Sequence, residues 1–197
     1  LGITTINSIA QATTLQSTAG WGMFDFGAGG NLRYLVVAAG TSIYASSDRG
    51  VTWGIIASSR TQNYQQFERS KPYLISTSEA QDPPVYWAGS ASTFMLSLAT
   101  GSAPNVKYAI DFQGFLLLLN SNTRKRGGYY ADNNLITTDP WTNNFDLPSS
   151  FDDEITGAVI LNKKLYVFTK FKIFRVSYVG GNPDFSYQDV KDWGAVP

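Results

Sequence analysis

Four apolar, strand-like runs recur along this chain: Tyr34–Ala38, Tyr73–Ser76, Phe115–Leu119 and Leu165–Thr169. The steps between them are about 40 residues, the last being longer, a period that points to propeller blades or solenoid units. Each run has matching neighbours. Before it lies a strand-like stretch: Trp21–Phe26, Tyr64–Glu68, Tyr108–Phe112 and Thr156–Leu161. A third follows at Ser42–Ser46, Val85–Ala88, Gly128–Ala131 and Lys172–Tyr178, and a fourth at Trp53–Ala57, Phe94–Leu98, Asn144–Leu147 and Phe185–Val190. Four antiparallel strands per unit is the plan of a β-propeller blade. The expected fold is therefore all-β, a β-propeller of four-stranded antiparallel blades, with about four full blades in the chain. A β-sandwich or irregular β-domain is the alternative.

Blades are expected over residues 21–60, 61–104, 105–150 and 151–192. Residues 1–20 read as a strand of a preceding or closing blade, and 193–197 as the start of a further strand, so the sequence leaves open whether the ring closes with these four blades or needs more. The turns agree with this plan. Gly29-Gly30-Asn31, Gln113-Gly114, Asn162-Lys163 and Gly180-Gly181-Asn182-Pro183 supply residues that tolerate positive φ or pre-set a bend. The second strand of each unit is nearly all apolar, as a strand covered on both faces by neighbouring blades should be. In the last unit's third strand, Ile173, Arg175 and Ser177 are expected on one face and Phe174, Val176 and Tyr178 on the other.

Composition narrows the chemistry. Fifteen basic and fifteen acidic residues cancel, which leaves no global field to hold nucleic acid or an anionic membrane. Cys and His are both absent, so disulfides, thiolate sites and the usual parts of Ser-His-Asp and transition-metal chemistry are missing. No catalytic residue, cofactor or metal site is expected. The longest apolar run, Phe115–Leu119, is far shorter than a membrane helix requires.

The most specific local pattern is Ser46-Ser47-Asp48-Arg49-Gly50-Val51-Thr52-Trp53. It resembles the Asp box of sialidase-type propellers, Ser-x-Asp-x-Gly-x-Thr-Trp, with Ser46, Asp48, Gly50, Thr52 and Trp53 at the defining positions. Asp48 is expected to accept backbone N–H groups inside the turn, Gly50 to take a left-handed conformation and Trp53 to tuck against the hairpin. A sialidase would also need an arginine triad, a Tyr nucleophile with a Glu partner and an Asp acid/base. The seven arginines, Arg33, Arg49, Arg60, Arg69, Arg124, Arg126 and Arg175, include none in a Phe/Tyr-Arg-Ile-Pro setting. The box is read as structural, and a divergent glycosidase ranks last among the functions weighed.

From Tyr34 to Val196 the order of phrases resembles a propeller of tailed-phage virion structural proteins, found at the tail or neck. Ser42-Ile43-Tyr44 runs into the Asp-box turn, then Tyr73-Leu74-Ile75 and Asp82–Trp87. Phe115-Leu116-Leu117 is followed by Tyr129–Asp132, Asp139-Pro140-Trp141 and Phe145-Asp146-Leu147. Asp153–Asn162 runs into Leu165–Thr169, Lys172–Val176 and Gly194-Ala195-Val196. Asp132-Asn133-Asn134 departs from the Asp-box pattern. The resemblance implies a non-enzymatic part of a phage particle, with other virion proteins as partners, a homo-oligomer around the tail axis, and host-surface glycans as further ligands.

Three other features carry expectations. Arg124-Lys125-Arg126 is read as a solvated hairpin able to meet a partner, with a phosphate or acidic patch as the alternative. Asp152-Asp153-Glu154 lacks the spacing of a calcium loop and is read as an exposed turn, and Gly27-Ala28-Gly29-Gly30 as a turn and not a nucleotide cradle. A glycan-binding lectin would need exposed rim aromatics, for which Trp21, Trp87, Trp141 and Trp193 are the candidates.

Overall fold

A computed structural model describes residues 20–29, 32–61, 64–90, 94–98, 102–180 and 184–191. The expectations for 1–19 and 192–197 lie outside them. The chain is all-β, with sixteen strands among the described residues. In the first blade β1 is Gly20–Gly29, β2 Leu32–Ala39, β3 Ser42–Ser46 and β4 Gly54–Ala57. In the second β5 is Gln66–Ser70, β6 Tyr73–Ser78, β7 Asp82–Trp87 and β8 Leu96–Ser97. In the third β9 is Val106–Phe112, β10 Phe115–Ser121, β11 Gly127–Asp132 and β12 Asn144–Asp146. In the fourth β13 is Ile155–Leu161, β14 Lys164–Thr169, β15 Ile173–Tyr178 and β16 Phe185–Lys191. Each group forms one antiparallel sheet in chain order. The first strands meet in succession, β1 on β5, β5 on β9 and β9 on β13, so the blades follow one another through their leading strands.

Strand β10 shows why the second strands are so apolar. Side chains alternate across a strand, and Leu117 and Leu119 join Leu165, Val167 and Phe174 against the fourth blade, while Leu116 and Leu118 join Ile75, Val106 and Trp141 against the second. All four leucines are fully buried. Between the first and second blades Phe26, Tyr34, Val36 and Ile43 pack on Leu74, Val85 and Trp87.

The fourth blade departs from this expectation. In β14, Leu165, Val167 and Thr169 are buried while Tyr166 and Phe168 are half-buried, and β13 grows more exposed toward its end at Leu161. Among the described residues no neighbouring blade packs on one face of this blade. The expected alternation holds in β15, where Phe174 and Val176 are buried and Ile173, Arg175 and Ser177 are half-buried on the opposite face; Tyr178 shares the first parity but is exposed.

Local chemistry sets the turns. Gln113-Gly114 and Asn162-Lys163 join their strands as two-residue hairpins with both φ values positive, the geometry that matches the twist of the flanking strands. Gly89 has φ +83°, and a Cβ there would stand 2.3 Å from that of Ala28, so glycine lets the exit of β7 approach β1. Strand β7 starts at Asp82, three residues ahead of the sequence expectation. Its Pro83-Pro84 precedes the two residues, Val85 and Tyr86, that pair with β8, so among the described residues the prolines sit where the outer edge has no strand partner.

Candidate functional site

The turn between β3 and β4 is built around one carboxylate. Asp48 Oδ1 accepts from the Ser46 hydroxyl at 2.7 Å, from Val51 N–H at 3.1 Å and from Thr52 N–H at 2.8 Å; Oδ2 accepts from the Thr52 hydroxyl at 2.6 Å. Gly50 N–H donates to the Ser46 hydroxyl oxygen at 2.7 Å, and Trp53 Nε1–H to the Gly50 carbonyl at 3.0 Å. Gly50 has φ +91°. Trp53 is buried with Val37, Ala39 and Tyr44. The Thr52 hydroxyl first, then its N–H and the Ser46 hydroxyl, pull the Asp48 carboxyl down to about 2. Its contribution to stability is thus present above the ordinary carboxylate range and lost as pH falls toward 2. The side-chain oxygens of Ser46, Asp48 and Thr52 all bond within the turn, which suits a structural role.

The arginines are dispersed. Arg33 pairs with Asp25 on the first blade, and Arg60 Nε lies 3.5 Å from Asp82 where the chain enters the second. Arg124 pairs with Asp146 at 2.6 Å on the third blade, and Arg175 bonds Gln188 on the fourth. Four of the seven arginines therefore sit at four separate places, each with its own partner.

Two segments read as independent turns come together. The β10–β11 hairpin carrying Arg124, Lys125 and Arg126 faces the connection from β12 to β13 carrying Phe151–Glu154, and Lys170 of the β14–β15 hairpin completes a cleft of about 490 Å³. Backbone bonds hold it: Ile155 N–H donates to the Lys125 carbonyl at 2.9 Å, and Lys170 N–H to that of Glu154 at 3.1 Å. The same device recurs between other blades, where Arg60 N–H donates to the Thr41 carbonyl and Ala80 N–H to that of Val106.

Both expectations for these segments need correction. Arg124 and Arg126 are half-buried, the first on Asp146 and the second donating to the Ser149 carbonyl at 3.2 Å; only Lys125 of the three is exposed. Asp153 is 2% exposed, because the connection folds inward to hydrogen-bond the hairpin; Asp152 alone of the acidic triplet is exposed. Glu154 lies 3.0 Å from Lys170, whose hydrogen bond leads the effects that hold its carboxyl below the ordinary range despite partial burial. The Gly127-Gly128 pair beside the hairpin has a packing reason: a Cβ on Gly127 would stand 2.0 Å from the Phe145 carbonyl oxygen of the adjacent strand.

The rim tryptophans are also corrected. Trp87 and Trp141 are buried, at 1% and 3% exposure, filling the spaces on either side of the second blade. The side chain of Trp21 and all of Trp193 lie outside the described residues. Among the described residues, no helix is long and apolar enough to cross a membrane.

The carboxyl of Glu68 is strongly displaced by its surroundings. Standing on β5 against β9, it accepts from Asp111 N–H at 3.3 Å, and burial, with the Asp111 charge adding to it, pushes its carboxyl up to about 7. A folded-state value above the unfolded one means that the native state holds the proton longer, so this contribution is full below about 4.5 and lost as pH rises through about 7. Glu68→Gln keeps a carbonyl acceptor for Asp111 N–H. Its urea midpoint should stay flat between about pH 5 and 8 where the wild type falls, leaving it more stable at pH 8 by on the order of 2 kcal/mol after allowance for partial exposure. Equal slopes for the two proteins would refute the assignment. The chain matches no protein-family model, and no curated protein matches its sequence.

Proposed function

We propose that this chain is a non-enzymatic structural component of a phage virion, acting in tail or neck assembly beside other virion proteins and further copies of itself. The observation that carries the reading is the apolar surface left exposed on the first and fourth blades. On the first blade Met23, Val51 and Ile55 are exposed, and on the fourth Val159, Leu161 and Val190. Equivalent faces inside the row are packed against a neighbouring blade. Exposed apolar surface of this kind is a feature of association sites. The second and third blades, moreover, each give one face to the blade before and a different face to the blade after, a head-to-tail contact that rings and stacks extend by repetition. The phrase order from Tyr34 to Val196 supports the virion setting, and the inward-turned Asp48 supports a structural use of the box.

Mass spectrometry of purified particles tests it: the chain should be present at a fixed copy number and should co-sediment with tail or neck proteins after particle disruption. Its absence from particles, with purified chain that joins no virion protein, would sink the proposal.

A further inference from the structure

We propose that the cleft between the Arg124–Arg126 hairpin and the Phe151–Glu154 connection binds a neutral saccharide. The inference goes beyond the assembly reading and does not rest on it.

An unpaired donor and an unpaired acceptor belong to residues that line the same cleft. Asp153 Oδ1 accepts from Glu154 N–H at 3.0 Å, but its Oδ2 has no partner, although the residue is 2% exposed. Arg124 donates from Nη1 to Asp146, while its Nε is buried and has no partner. Buried polar atoms left in this state are costly, and such sites are where bound groups or waters are found. Hydroxyl groups suit both residues, because a hydroxyl donates to a carboxylate and accepts from a guanidinium.

Arg124 is neutralised by Asp146, and Lys170 by Glu154. What remains is Lys125 and Arg126 against Asp152 and Asp153, two charges of each sign. A phosphate would meet two carboxylates, and a bare cation two basic groups. Among the described residues no three carboxylates converge as a metal site requires. A neutral ligand rich in hydroxyls meets neither penalty.

The side chain of Phe151 lines the same cleft at 89% exposure. An aromatic ring left in water beside convergent polar groups offers a platform for the C–H face of a sugar ring. The volume falls within the range of small-molecule sites.

The experiment titrates methyl glycosides of glucose, galactose, mannose and N-acetylglucosamine into the full chain, followed by amide NMR. Inorganic phosphate and calcium chloride are titrated separately. At least one glycoside should shift the signals of residues 122–126 and 151–154 and leave those of the Asp48 turn in place. Phe151→Ala, a change at an exposed side chain, should weaken that binding roughly three- to tenfold, the size of one aromatic contact. Asp153→Asn, which keeps the shape and halves the acceptor set, should weaken it as well. The proposal is overturned if no glycoside shifts these signals, if phosphate or calcium does so in their place, or if Phe151→Ala binds as tightly as wild type. Loss of binding in Asp153→Asn counts only where its spectrum remains that of the folded protein; Phe151→Ala decides the matter otherwise.

Discussion

Trp87→Ala should destabilise the protein by about 3–5 kcal/mol, the cost of removing a large aromatic side chain from a packed interior. Trp87 ends β7 and is 1% exposed. Its ring meets Tyr34 edge-on with centroids 4.9 Å apart and Phe26 at 5.9 Å, so three aromatics from three strands close the space between the first and second blades. Its Nε1–H donates to the Ser90 carbonyl at 3.1 Å, which fixes the ring's orientation. Truncation leaves a cavity that the surrounding strands cannot collapse into, since Val36, Ile43 and Leu74 are themselves fully buried. The melting temperature should fall by roughly 6–20 °C for a chain of this size. Trp87→Phe keeps a ring against Tyr34 and Phe26 and should lose about 1–2 kcal/mol. Equal losses in the two variants would mean that the indole N–H, and not the packing, holds this interface.

Much of the fold is written in β10 and its equivalents. A run such as Leu116–Leu119 has no polar face, so it must be covered twice, and the hairpin residues on either side of it dictate that its neighbours are antiparallel strands. The four-strand units, the third strand at Ser42–Ser46 and the hairpins at Gln113-Gly114 and Asn162-Lys163 follow from such local rules. Pro83-Pro84 hid the start of β7, because proline argues against a strand unless the edge beside it is known to be unpaired. The tryptophans misled in the other direction: residue type alone does not distinguish a ring between blades from a ring at a rim.

The cleft was illegible for a different reason. Arg124, in the β10–β11 hairpin, and Asp146, on the outer strand β12, are 22 residues apart. Lys170 reaches them from the next blade. Three short charged stretches, each ordinary in isolation, meet only because the connection into a blade hydrogen-bonds to the hairpin of the blade before it. The one local signal was Phe151, an aromatic inside a polar turn with no apolar neighbours to pack it.

Phe185→Ala should cost a similar 3–5 kcal/mol but distribute the damage differently. Phe185 opens β16, is 1% exposed, and sits at the centre of an aromatic cluster, with Tyr130 at 5.0 Å and perpendicular, Phe115 at 5.7 Å, Tyr178 at 5.8 Å and Phe145 at 6.0 Å. The Tyr130 hydroxyl donates to Asp184 at 2.5 Å, the residue before it, and burial with that carboxylate pushes the phenol up to about 12. This cluster joins the third and fourth blades. The second blade is covered on both faces, whereas the fourth is held on one face only, with Tyr166 and Phe168 half-buried on the other. A row of units that touch only their neighbours unfolds from its weakest end. Hydrogen exchange on Phe185→Ala should therefore show β13–β16 losing protection while β5–β8 keep theirs, and the thermal transition should broaden or split. Trp87→Ala, placed between the first and second blades, should leave β13–β16 protected relative to the rest. If both variants lower protection uniformly across all sixteen strands, the four blades unfold as one unit and the fourth is held by more than the cluster around Phe185.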